Sequence, residues 1–122
     1  MTFAYWCIPI AMFLPLVWAG AAKMGATDYD NSRPREWMAR QVGRAQRANW
    51  AQQNSYEAFP PFAAAVIVAH LTGSAQMIID ALAGVFILAR IIHGVAYIKD
   101  KPRLRSSAWG IAFSMIIALF VV

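Results

Sequence analysis

Three groups of polar side chains occur where the sequence is otherwise too apolar to receive them. Asn54 and Glu57, with Arg47 upstream, lead into an apolar run that starts at Ala58. Arg90, His93 and Tyr97 sit at i, i+3 and i+7 within another such run, and Arg103, Arg105 and Ser106 open a third. At about 100° per helical residue, Asn54 lies about 20° and Glu57 about 80° from Arg47, with Arg40 and Arg44 within about 60° on the other side. These five side chains therefore form one ridge that runs from solvent into the apolar zone, and Arg90, His93 and Tyr97 form a second. A pocket lined by several guanidiniums, one carboxylate and a phenol suits a small zwitterion of net negative charge. Arginines grip its carboxylates bidentately, and Glu57 takes its ammonium. The plainer reading is structural: a Glu57–Arg90 salt bridge, with Asn54 joining two helices. That reading leaves unexplained why Arg47, His93, Tyr97, Arg103 and Arg105 converge at the same depth. Ionisable groups inside membrane helices are costly and are functional candidates by default. No metal-ligand cluster is expected.

The apolar runs decide what kind of element must carry these residues. The chain has 122 residues, 60% hydrophobic and only 14% charged, with a mean hydropathy of +0.47. A soluble domain carries about 25% charged residues. No charged residue occurs from Met1 to Ala22, from Ala58 to Met77 apart from His70, or from Ser106 to Val122. Each run is close to the roughly 20 helical residues that span a bilayer. The first lacks a basic leader and is long and aromatic (Tyr5, Trp6, Phe13, Trp18), so it reads as a retained helix. The lone Cys7 cannot form an internal disulfide. A net charge of +5 raises the question of nucleic acid, but all eleven Lys and Arg fall between Lys23 and Arg47 or between Arg90 and Arg105. Those blocks flank the first and third connections, which the positive-inside rule places in the cytoplasm, with both termini outside. No nucleic-acid partner is expected.

The expected architecture is a single all-α membrane domain, a bundle of four transmembrane helices. Helix 1 runs from Phe3 to Met24 with Pro9 and Pro15 inside it, which membrane helices tolerate. Ser32 is a candidate cap, and Pro34 suits a first turn. From there no stop is visible before Thr72-Gly73, so helix 2 is predicted to be close to forty residues long, about 50 Å or more. Its first half would project into the cytoplasm. Helix 3 is expected from near Ser74 to about Ile98, and helix 4 after Lys99-Asp-Lys-Pro102. His70 and Asp80 lie near the outer surface and could bond each other. Trp and Tyr near helix ends read as interfacial anchors.

The segment Arg44-Ala-Gln-Arg-Ala-Asn-Trp-Ala-Gln-Gln-Asn54-Ser-Tyr-Glu57-Ala-Phe-Pro60 resembles the helix-2 signature of the MAPEG family, membrane-associated proteins of eicosanoid and glutathione metabolism. The core of that signature is Asn-x-x-Glu, then an aromatic residue and proline. Ala89-Arg-Ile-Ile-His93-Gly-Val-Ala-Tyr97, with Arg105-Ser106 beyond it, is similar to the matching stretch of the family's prostaglandin synthase branch. The resemblance covers nearly the whole chain. It implies a bacterial-type inner-membrane protein, a homotrimer of four-helix subunits, with glutathione bound between neighbours near the cytoplasmic side. By position, Asn54 and Glu57 would hold the peptide backbone and γ-glutamyl end, and Arg90, His93 and Tyr97 would line the same pocket. Arg105, beside Ser106, would stabilise the thiolate. Many relatives carry an arginine one turn before the signature asparagine. Here that place is Trp50, and Arg47, a further turn away, is the candidate substitute. The loop before Arg105 is shorter than in the prostaglandin synthase branch, which makes Arg103 a competing thiolate partner.

The implied activity is that of a glutathione-dependent transferase or peroxidase acting on lipophilic small molecules delivered through the membrane lipids. The alternative is a non-enzymatic lipid- or glutathione-binding scaffold of the same family. A small multidrug exporter of four helices would need an acidic residue in helix 1, which has none.

Overall fold

The computed structural model describes every residue from Met1 to Val122. It is all-helical: α1 (Phe3–Lys23), α2 (Pro34–Ala39), α3 (Gly43–Leu71), α4 (Gln76–Ile98) and α5 (Pro102–Val121). α1, α4 and α5 are each long and apolar enough to cross a membrane. α3 changes character along its length, from a polar half that holds Arg44, Arg47, Asn54 and Glu57 to an apolar half after Ala58. α1 packs along α3 and α4 along α5, while α3 also touches both α4 and α5. Small side chains allow these approaches. Ala4, Cys7 and Ala11 of α1 share one buried core with Ala65 and Ala69 of α3 and Ala83 of α4. Phe62 and Phe86 stack across the α3–α4 seam, with centroids 3.8 Å apart and planes 7° from parallel.

The expected forty-residue helix is broken in two. α2 is a six-residue helix, and α3 starts afresh after Val42, which is extended at φ −131° and ψ 166°. Gly43 has φ +61°, a left-handed conformation that costs a side-chain-bearing residue about 1–2 kcal/mol. Trp37 drives the break. It is buried, edge-on to Tyr29 at 5.1 Å, and its indole N–H donates to Asp28 Oδ1 at 3.1 Å. Docked on its own loop, α2 cannot continue coaxially into α3. Arg40 therefore leaves the predicted ridge and ends α2 instead. Ser32 does not cap a helix either, because Arg33 holds the N-cap position. The Ser32 hydroxyl and amide both donate to Asp30 Oδ1, at 2.6 and 2.9 Å, which holds the Asp30 carboxyl below the usual carboxylate range. Pro34 does occupy the first turn of α2.

The remaining boundaries lie close to those read from sequence. α3 ends in a Schellman turn, with Ser74 N–H donating to Ala69 O and Gly73 N–H to His70 O. α4 ends the same way through Lys101 and Asp100, with Asp100 left-handed at φ 58°. At the opposite, weakly charged end, Thr2 caps α1 by accepting from Tyr5 N–H at 3.1 Å. Asp80 accepts from Ala4 N–H at 2.9 Å. His70 and Asp80 are bridged rather than directly bonded. Gln76 donates to Asp80 at 2.8 Å and lies 3.4 Å from His70 Nε2. Thr2 Oγ1 is 2.9 Å from the same nitrogen, and Tyr5 stacks on the ring at 3.9 Å. Ser74 donates to Val122 O, so both chain termini and the α3–α4 turn share this end.

Candidate functional site

The site is built where α3, α4 and α5 meet, about midway along α4. Arg90 reaches across from α4, and its Nη2 donates to Asn54 Oδ1 at 2.7 Å. Arg90 and His93 are each only 2% exposed. Arg90 Nε and His93 Nδ1 are buried without a hydrogen-bond partner, an arrangement uncommon in folded proteins. The direct Glu57–Arg90 salt bridge is not formed, since the only ion pair in the chain is Arg33–Glu36. Arg90 is thus a buried guanidinium with a neutral amide and no paired carboxylate. Glu57 is exposed.

Two recesses flank this pair. One, of about 170 Å³, is lined by Asn54, Glu57 and Arg90 with Phe86, Trp109 and Phe113. The other, of about 250 Å³, is lined by Asn54, His93, Tyr97, Arg105, Ser106 and Trp109. Asn54 and Trp109 are walls of both. In the second, the Arg105 guanidinium lies 4.6 Å over the Tyr97 ring, and Tyr97 meets His93 edge-on at 5.6 Å. That cation–π contact holds a planar donor array against the recess without using its N–H groups.

Seven of the nine residues singled out from sequence therefore line these two adjoining recesses: Asn54, Glu57, Arg90, His93, Tyr97, Arg105 and Ser106. Two do not. Arg47 Nε donates to Ile98 O at 3.1 Å, satisfying a carbonyl at the C-terminus of α4 where a cation is favoured. It lines neither recess. Arg103 is exposed and also lines neither, which separates it from Arg105.

Sequence reading missed Trp109 and Trp18. Trp109 is one turn after Arg105 on the same face of α5, a spacing that could have identified it. Trp18 acts from behind the site. Its indole N–H donates to Ser55 Oγ at 3.0 Å, with Ser55 next to Asn54. Its ring lies so close to Gly94, the neighbour of His93, that a Cβ there would clash with Trp18 Cζ2. One tryptophan of α1 therefore fixes the spacing of α3 and α4 at the level of the Asn54–Arg90 bond. No sequence signal joins residues so far apart.

No curated protein and no solved structure matches the chain. The family model described as the MAPEG family matches residues 2–122. With three helices apolar enough to cross a bilayer and that match over essentially its whole length, this chain is an integral membrane protein that belongs to the MAPEG family.

Proposed function

We propose that the chain is a glutathione-dependent membrane transferase or peroxidase that holds glutathione along the Asn54–Arg105 stretch and activates its thiol. The observation that carries this reading is Arg90, buried in an apolar bundle with no carboxylate to pair with it. An unpaired buried charge costs several kcal/mol, on the order of 3–5 when a partner is removed. An anionic ligand that supplies the missing carboxylate offsets that cost. Neither recess alone reaches the roughly 300 Å³ at which ligand pockets begin, so a tripeptide must span both. Its γ-glutamyl ammonium would then meet Glu57, a carboxylate Arg90, and its thiol Arg105 and Ser106.

A free thiol with pKa about 8.5 is mostly protonated at neutral pH, and a nearby guanidinium favours the thiolate. Arg105 would supply that charge, with the Ser106 hydroxyl as a further donor. The released proton passes to solvent. The thiolate then forms a carbon–sulfur bond with an electrophile as its leaving group departs. With a hydroperoxide it takes the terminal oxygen, releasing an alcohol, and a second glutathione completes the disulfide with loss of water. Apolar walls at Phe86, Trp109 and Phe113 suit substrates that arrive from the lipid.

We further propose that α3 also spans the membrane through its apolar half, giving four transmembrane helices, and that three chains assemble. Glu57 is exposed on one chain. A polar recess of about 610 Å³ lined by Lys23, Asn49, Gln52 and Gln53 lies open between α1, α2 and α3. Both features favour cover by a neighbour. Turnover of glutathione with a generic aromatic electrophile, and with cumene hydroperoxide, tests the activity. Saturable consumption of glutathione in either assay supports the reading. Glutathione binding with no turnover in either favours the scaffold alternative.

A further inference from the structure

On the far side of α4 from the glutathione recesses lies a groove of about 330 Å³ between α4 and α5. Its walls are Ile91, Ile92, Val95, Ala96 and Leu104, and both Lys99 and Lys101 line it. Four of those apolar walls are exposed on the single chain. The lysines come from the tight turn that ends α4 and starts α5: Lys99 is the C-cap of one helix and Lys101 the N-cap of the other. The left-handed Asp100 between them lets both flank one groove. Asp100 does not line the groove, and neither lysine takes part in a salt bridge. The result is an apolar trough closed at its charged end by two unpaired ammoniums.

We propose that this groove binds one anionic phospholipid, with its phosphate between Lys99 and Lys101 and an acyl chain against Ile92, Val95 and Leu104. Basic pockets between membrane helices on the positively charged side select anionic head groups by this means. Charge complementarity argues against a second copy of the chain as occupant. Of the six acidic residues, the three in the α1–α3 connection are already engaged. Asp28 is held by Trp37, Asp30 by Ser32 and Glu36 by Arg33. Asp80 caps α1 at the other end, Glu57 lines the Arg90 recess, and Asp100 lies between the lysines themselves. A zwitterionic lipid would bring its own cation against the two lysines.

The experiment is a native mass-spectrometric titration of the detergent-solubilised, delipidated protein with phosphatidylglycerol and phosphatidylcholine of identical chains. At about fivefold in affinity per lysine, one phosphatidylglycerol per chain should bind roughly thirtyfold more tightly than phosphatidylcholine. Lys99→Gln/Lys101→Gln should bring that ratio close to one, and circular dichroism should show unchanged helicity because both side chains are exposed. Arg33→Gln/Arg35→Gln, which removes two charges from the same end outside the groove, should leave the ratio intact. Val95→Ser should weaken both lipids alike. Equal binding of the two lipids overturns the proposal, as does a preference that survives loss of the lysines or falls equally in the Arg33/Arg35 variant. Displacement by inorganic phosphate at comparable concentration would reveal a free-anion site, and displacement by oleate a site for lipophilic acids. Loss of oligomer in the lysine variant would reveal a contact between copies. Each of these results also overturns it.

Discussion

Among single residues, Arg105 and Glu57 have different jobs in the proposed reaction. Arg105→Ala should lower kcat by about 10²–10³ while changing glutathione affinity little, because a group that meets a developing thiolate contributes mainly after activation. Glu57→Ala should weaken affinity and leave kcat of the saturated enzyme near its original value, because the γ-glutamyl end is held equally before and after activation. Arg103→Ala, on an exposed side chain outside both recesses, should do neither. Steady-state kinetics on the three variants decides this, and a rate loss in Arg103→Ala alone would reverse the assignment. Much of the site was legible in the sequence because its side chains repeat at helical spacing. Asn54 and Glu57, and then Arg90, His93 and Tyr97, each mark one face, and their meeting was implied by the cost of leaving them in lipid. Arg47 shares that spacing but lies apart from the two recesses. One more turn along α3 brings it level with the last carbonyls of α4, and Ile98 O takes its guanidinium. Trp109 was passed over because tryptophans near helix ends so often anchor to the interface.

At the scale of elements, the site depends on how closely α1 holds α3 and α4. Gly94→Ala should destabilise the protein by about 1–3 kcal/mol, the usual cost of overpacking. Trp18→Phe should cost about 1–3 kcal/mol, because it leaves the buried Ser55 hydroxyl without its donor. The two should not add: with the shorter Phe ring at 18, an alanine at 94 finds room, so the double variant should be more stable than the sum predicts. Thermal unfolding of the four species measures this, and strict additivity would mean that the contact does not set the spacing. Asp100→Gly should raise stability by up to about 1 kcal/mol, since glycine takes the left-handed turn without a Cβ penalty. Helix ends were legible wherever a local signal was decisive, as at Thr72-Gly73 and Pro102. The break at Arg40–Val42 was not, because the ridge periodicity runs straight through it. The signal was Gly43, and its force depends on Trp37 docking against Asp28 and Tyr29, which periodicity does not encode. Gly94 likewise looked like an ordinary small residue until Trp18 was placed against it.

At the scale of the whole molecule, the two ends differ in charge, and that difference should set both orientation and assembly. The basic residues lie toward the end that carries the α1–α3 connection and the Lys99–Lys101 turn. The opposite end holds both termini. A reporter active only in the cytoplasm should therefore work when inserted at Asp100 and stay silent when fused after Val122. The reverse pattern would contradict the proposed topology. Native mass spectrometry in mild detergent should give a three-chain mass, because the exposed Glu57 and the open Lys23 recess need cover in the membrane. Central to the proposed function is that the bundle holds glutathione as its thiolate. The most direct test follows the ultraviolet absorbance of the thiolate while glutathione is titrated into the protein at neutral pH, with calorimetry on the same samples. A saturable thiolate signal is expected in the wild type, and it should vanish in Arg105→Ala although calorimetric binding persists. Binding without a thiolate signal in the wild type would contradict the proposed function.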